Sequence, residues 1–269
     1  MLSSLLIAHF NNWEYFQDCY KSIQNQTYRN FEIVVLDDCS TDGSFQQLQA
    51  LALKDSNIKL FKNETNQGVG FTKAKLIELA KGEVIGFLDP DDTLYESALE
   101  LSINEHVKNE KIVATYSQIM LCDENLNSLR IYTRTRKIKN NNQLFFNINN
   151  EVSHFFTFKK KAYLKTNGIN PELTSSVDFD LYLKLYEIGE FTYIDEPLYY
   201  YRQHQKGVSQ NIKKKDSVKK NWNKVLYDTC LRRKIDKIGK TKVSENIDLS
   251  KLIFERENSL FEKIKRKLF

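Results

Sequence analysis

Asp89-Pro90-Asp91-Asp92 follows directly on the strand-like run from Glu83 to Leu88. Three carboxylates within four residues make a hard-oxygen cluster. That donor set suits Mg2+ or Mn2+ holding phosphate oxygens. In extended backbone, side chains two residues apart point the same way, so Asp89 and Asp91 can face one cation. A polar turn into a helix is the competing reading, because Thr93 and Glu96 have capping-box spacing. Asp37-Asp38 repeats the theme, at the end of the run from Phe31 to Leu36.

Runs of this length, rich in β-branched and aromatic residues, predict buried strands. Strand signals fall over residues 3–10, 31–36, 58–61, 83–88 and 112–121. Helix signals alternate with them: Trp13, Phe16, Tyr20 and Ile23 recur at helical spacing, and helices are predicted over 45–54, 71–81 and 94–107. Gly82 reads as the stop of the 71–81 helix. This alternation predicts an α/β fold with a parallel sheet covered on both faces. Ligands bind such sheets beyond the carboxyl ends of the strands, where all five aspartates lie. Residues 123–150, rich in Asn and Lys, read as a loop-rich excursion open to motion. Strands are predicted over 152–159 and 191–201. A helix is predicted over 177–188, with Leu181, Leu185 and Ile188 along one face. Beyond residue 211 the pattern is helical and basic.

With 269 residues, 41% hydrophobic and 28% charged, the chain has the balance of a globular protein with a full core. A basic leader followed by an apolar stretch is not seen, nor is an apolar run near the roughly 18 residues of a membrane span. The expected location is cytoplasmic. Cys19, Cys39, Cys122 and Cys230 are widely spaced and read as reduced packing thiols, which argues against structural zinc. The net charge of +5 conceals an asymmetry: residues 211–269 hold 18 Lys+Arg against 8 Asp+Glu, leaving the rest mildly acidic. That distribution is not the footprint of a nucleic-acid-binding domain. It suits an enzyme with a basic tail near an anionic surface, or a solvated helical tail.

Six segments, in order, carry a family likeness: Leu6 to Asn12, Gln26 to Ser44, Asn66 to Lys75, Phe87 to Asp92, Ser175 to Leu185 and Pro197 to Ser209. Together they resemble the family 2 glycosyltransferases with a GT-A fold, over residues 3 to 210. The resemblance implies a Rossmann-like, mostly parallel sheet with helices on both faces. It places a nucleotide-sugar half in residues 1–115 and an acceptor half in 116–210, with a basic helical extension over 211–269. It implies inverting transfer of a sugar from a UDP-sugar to a glycan or lipid-linked acceptor, assisted by Mn2+ or Mg2+, in bacterial envelope polysaccharide synthesis.

The resemblance also assigns roles. Asp38 would accept a hydrogen bond from uracil N3–H, supported by Asp37; an ionised carboxylate only accepts. Phe10 and the backbone at Ala8 would pack on the base. Lys73, where the family usually carries Arg, would reach the diphosphate as a point charge. Asp91 is the first metal ligand and Asp92 a second, with Asp89 touching the ribose or the metal through water. His204 is a further ligand, which favours Mn2+ because imidazole binds Mg2+ poorly. Arg202 and Ser209 would contact phosphate on a closing loop. Asp178, at a helix start, is the general base. Val177 stands where the family has an acidic residue, with Asp180 offered as compensation. Each assignment has a plain structural rival: a loop cap for Asp37 and Asp38, core for Phe10, a solvated lysine for Lys73, a helix cap for Asp178, an ion pair for Arg202 and packing for His204. His154 does no more than line the acceptor side.

Leu260, Phe261, Ile264, Leu268 and Phe269 interleave with Lys263, Lys265, Arg266 and Lys267, a pattern expected to touch an anionic inner membrane. Two rival functions stay open. One is a non-catalytic relative that binds nucleotide-sugar or glycan. The other is a sugar nucleotidyltransferase, disfavoured because His9-Phe10-Asn11-Asn12 replaces a Gly-rich basic loop.

Overall fold

The computed structural model describes residues 1–205 and 215–259. Its elements run β1 (Ser3–His9), α1 (Trp13–Gln24), β2 (Phe31–Asp37), α2 (Ser44–Ala52), β3 (Ile58–Lys62), α3 (Val69–Leu79), β4 (Val84–Phe87) and β5 (Thr93–Leu94). They continue with α4 (Ala98–Lys108), β6 (Ile112–Cys122), β7 (Ser128–Ile131), β8 (Thr157–Lys159), α5 (Lys160–Tyr163), α6 (Val177–Tyr186) and β9 (Glu190–Arg202). Last come α7 (Lys215–Arg232), β10 (Lys237–Ile238), β11 (Thr241–Lys242) and α8 (Leu249–Glu257).

The main sheet has the order β3-β2-β1-β4-β8-β6-β9-β5, with β7 on β6. From β3 to β4 every pairing is parallel, and β6 pairs β9 in parallel. Antiparallel pairing enters through β8, β5 and β7. Alternate residues on the central strands feed two separate cores. Leu6, Val34 and Leu36 face α3, α6 and α7, while Leu5, Ile7, Ile33 and Val35 face α1 and α4. This is the period-two alternation of a sheet buried on both faces, and it realises the expected α/β fold. The C-terminal segment joins the first core through Val225, Leu226, Leu249 and Ile253. Among the described residues no helix is long and apolar enough to cross a membrane. Ser209 and the basic end from Leu260 to Phe269 lie outside the described residues.

Several local expectations are corrected. Thr93 does not cap a helix; Thr93 and Leu94 pair with Tyr200 and Tyr199, and α4 begins only at Ala98. The strand partner supplied by β9 overrides the local capping signal. Gly82 does not stop α3, which ends at Leu79 with Ala80 extended. Gly82 is instead a close-approach residue: its N–H donates to Ser4 Oγ at 2.8 Å, and a Cβ there would stand 2.6 Å from the Ser4 backbone nitrogen. The 123–150 excursion holds β7 and buries Phe145, Phe146 and Ile148. The strand predicted over 152–159 shortens to β8. Helix α6 is buried on every side rather than along one stripe, and Asp178 is its sole residue left partly open.

The Gly82 contact yields a stability test. Gly82→Ala forces the β1 backbone aside, an overpacking that costs about 1–3 kcal/mol. Urea denaturation should show a lower midpoint with an unchanged slope.

Candidate active site

The register of β1 on β2 sets His9 beside Asp37 at the carboxyl ends of both strands. His9 Nδ1 lies 3.1 Å from Asp37 Oδ2, and Ser40 N donates to Asp37 Oδ1 at 2.9 Å. Burial pushes the Asp37 carboxyl up, but the His9 and Ser40 hydrogen bonds outweigh it and hold the group below its ordinary value. Asp37 is thus the anchor of the loop after β2. His9 was missed in the sequence; its one signal is its place opposite Asp37 in two adjacent strand ends.

Asp38 faces the start of α3. Its Oδ1 accepts from Asn63 Nδ2 and from the Gln67 backbone, and its Oδ2 from the Gly68 backbone, each at 2.8 Å. A carboxylate offers about four acceptor positions, so Oδ2 keeps one for a further donor. Phe10 is 46% exposed, which excludes the core reading, and Ala8 is half-buried behind it.

The three carboxylates after β4 have three different surroundings. Asp92 is buried: Tyr199 Oη donates to its Oδ2 at 2.6 Å and Arg202 N to its Oδ1 at 2.8 Å. Desolvation, with Asp91 and Asp89 nearby, raises its pKa well above the ordinary carboxylate value. Each oxygen accepts within the protein and the side chain is 1% exposed, so the structure shows Asp92 as the bolt between this turn and β9 and not on the open face expected of a metal ligand. Arg202 is corrected likewise. Its Nε donates to Asp91 O at 2.8 Å, Nη1 to Glu124 O at 2.6 Å and Nη2 to Asp18 Oδ2 at 2.8 Å, and its plane lies over Tyr15. A guanidinium engaged on three sides and buried is a structural tie, not a phosphate clamp.

Asp91 and Asp89 stay open to the site. His204 Nε2 stands 2.8 Å from Asp91 Oδ2, with its ring against Tyr15. Burial, then the Asp89 charge, raises the Asp91 pKa, and His204 opposes that rise. Among the described residues no group of three His, Cys, Asp or Glu could hold a metal by itself. The Asp91–His204 pair nevertheless fits a cation that takes its remaining ligands from phosphate. Two adjacent corners of an octahedron with bonds of about 2.1 Å are roughly 3 Å apart, close to this spacing.

Lys73 joins the turn after β4 to the start of α6. From the buried face of α3 its ammonium reaches Asp178 Oδ1 at 2.8 Å, Asp178 Oδ2 at 3.1 Å and Asp89 Oδ1 at 3.2 Å. The Phe87 ring lies 5.1 Å beneath it. Desolvation disfavours the charge on Lys73, but the carboxylates of Asp178 and Asp89 raise its pKa above the usual lysine value. Asp178 is held low: burial works against its charge, and Lys73, then His154, overcome that. Lys73 is therefore not a solvated lysine. Asp180 cannot substitute for Asp178, because it turns inward to Lys184 at 2.7 Å and to the Asn170 backbone at 3.2 Å. His154 Nε2 approaches Asp178 Oδ2 at 3.9 Å.

A model of glycosyl transferase family 2 matches residues 4–166. Chondroitin synthase of Escherichia coli is 30% identical over 266 residues, covering 96% of this chain; the chain spans only 37% of that protein. Among solved structures, S. aureus TarS 1–349 in complex with UDP-GlcNAc superposes with a TM-score of 0.71 at 18% identity, over 97% of this chain and 73% of that one. A mannosyltransferase from Pyrobaculum calidifontis in complex with GDP-Man and Mn2+ superposes at 0.64 and 11%, over 96% and 70%. The chain belongs to glycosyl transferase family 2, and its fold is GT-A.

Arg202→Lys tests the structural assignment of that residue. An ammonium cannot replace three planar contacts at once, so the variant should lose about 1–3 kcal/mol of stability by chemical denaturation.

Proposed function

We propose that this family 2 glycosyltransferase moves a sugar from a nucleotide diphosphate-sugar, with UDP-sugars as the donor class, to a hydroxyl of a glycan or lipid-linked saccharide. Transfer is a single displacement with inversion. The observation that carries this reading is the position of Lys73 between Asp89, on the donor turn, and Asp178, the one open carboxylate of α6.

The roles follow from the surroundings. Phe10 packs on the base, and the spare position on Asp38 Oδ2 accepts from its ring N–H. Asp91 and His204 hold a divalent cation, Mn2+ or Mg2+, which when bound supplies Lewis-acid neutralisation of the departing diphosphate. Asp89 faces the ribose. The donor diphosphate competes with Asp178 for the Lys73 ammonium, so donor binding loosens the grip of Lys73 on the base. Asp178 then takes the proton of the acceptor hydroxyl as that oxygen bonds to the anomeric carbon and the bond from that carbon to the phosphate oxygen breaks. Residues 1–210 carry all of these groups, and residues 211–269 form an extension whose described part buttresses α6 through α7. A non-catalytic relative is disfavoured because Asp178 is kept ionised and pointed at the donor turn.

Two measurements test this. UDP release from a panel of UDP-sugars should fall by about 10²–10⁴-fold in Asp178→Asn, with folding retained and UDP binding no weaker than in wild type. Near-normal turnover by that variant would remove Asp178 from the role. Calorimetry should show UDP affinity enhanced by Mn2+ in wild type and not in Asp91→Ala; an equal Mn2+ effect in both would place the metal elsewhere.

A further inference from the structure

His154 lies just before β8, the strand that runs antiparallel to β4 with Thr157 opposite Gly86. The segment is pinned in place. Phe155 N donates to Ser117 Oγ at 2.8 Å, and the Phe155 ring packs so near Gly86 that a Cβ there would lie 2.9 Å from it. The imidazole stacks on Tyr199 at 4.8 Å and 23°, with Tyr182 edge-on at 6.3 Å. Tyr199 is itself fixed by its bond to Asp92. Two rings thus aim Nε2 at Asp178 Oδ2, 3.9 Å away, while Nδ1 is buried with no hydrogen-bond partner.

We propose that His154 is a positioning residue for Asp178, and this rests on Asp178 being the base. An ionised carboxylate only accepts, so the role requires a proton on Nε2, the nitrogen that faces Asp178. Lys73 grips both Asp178 oxygens from the α3 side. When the donor diphosphate draws Lys73 away, Nε2–H remains as the second donor and closes on Oδ2; catalytic hydrogen bonds are commonly long before substrate binds. It keeps the carboxylate facing the acceptor hydroxyl instead of swinging after Lys73. The charged and titratable groups facing this arrangement are Lys73 from α3, Asp178 and Tyr182 from α6, Tyr199 from β9, and Asp89 from the donor turn.

The test has a ligand-free arm and a kinetic arm. The nitrogen NMR spectrum of the imidazole, assigned with His154→Gln, should show the proton on Nε2 in wild type and a tautomer mixture in Asp178→Asn. In UDP release from UDP-sugars, His154→Ala should lower kcat about ten- to a hundredfold with the donor KM unchanged. His154→Gln, which keeps an N–H donor, should recover most of that loss. The double variant with Asp178→Asn should be no slower than Asp178→Asn alone. A proton on Nδ1, a tautomer indifferent to Asp178→Asn, or His154→Ala turnover within about twofold of wild type would overturn the role of His154. In those cases an inactive Asp178→Asn would leave the base assignment standing, whereas an active Asp178→Asn would remove both.

Discussion

A lysine ammonium buried between two carboxylates sets the terms for the rest of this site. Burial of an unpaired charge is strongly unfavourable, and the carboxylates of Asp178 and Asp89 offset that cost for Lys73. The pairing ties the turn after β4 to the start of α6, two segments about ninety residues apart in sequence. It also holds Asp178 ionised. Because Lys73 is a point charge rather than a guanidinium fork, it can exchange one anionic partner for another with little reorientation. A phosphate is such a partner.

The surrounding structure would keep such an exchange local. Asp92 and Arg202 bolt the turn after β4 to the end of β9, so the turn does not depend on Lys73 alone for its shape. Asp37 and His9 do the same for the loop after β2, and Asp38 for the start of α3. Carboxylates that look alike in sequence thus divide into buried ones that tie segments together and partly exposed ones that face the site. Asp37, Asp38 and Asp92 belong to the first kind. Asp89, Asp91 and Asp178 belong to the second.

That division marks the limit of what the sequence disclosed. The α/β order and the strand ends that carry the aspartates were legible, because apolar runs report burial directly. The family likeness was legible in six short segments. The fate of each polar side chain was not, because it is decided by partners far away in the chain. Nothing near Asp92 signals that Tyr199 will take its oxygen, and nothing near Arg202 points to Asp18. Thr93 and Glu96 have the spacing of a helix cap, yet β9 recruits Thr93 into a strand. His9 and His154 carry no motif; the strand register brings His9 to its carboxylate, and the placement of the segment before β8 brings His154 to the other.

The exchange at Lys73 is most directly tested by calorimetric titration of UDP, with Mn2+ present, into wild type and Asp178→Asn. If the diphosphate must displace the Asp178 carboxylate from Lys73, neutralising that carboxylate removes a competitor, and UDP should bind about three- to tenfold more tightly, roughly 1 kcal/mol. Unchanged or weaker UDP binding by Asp178→Asn would contradict the account.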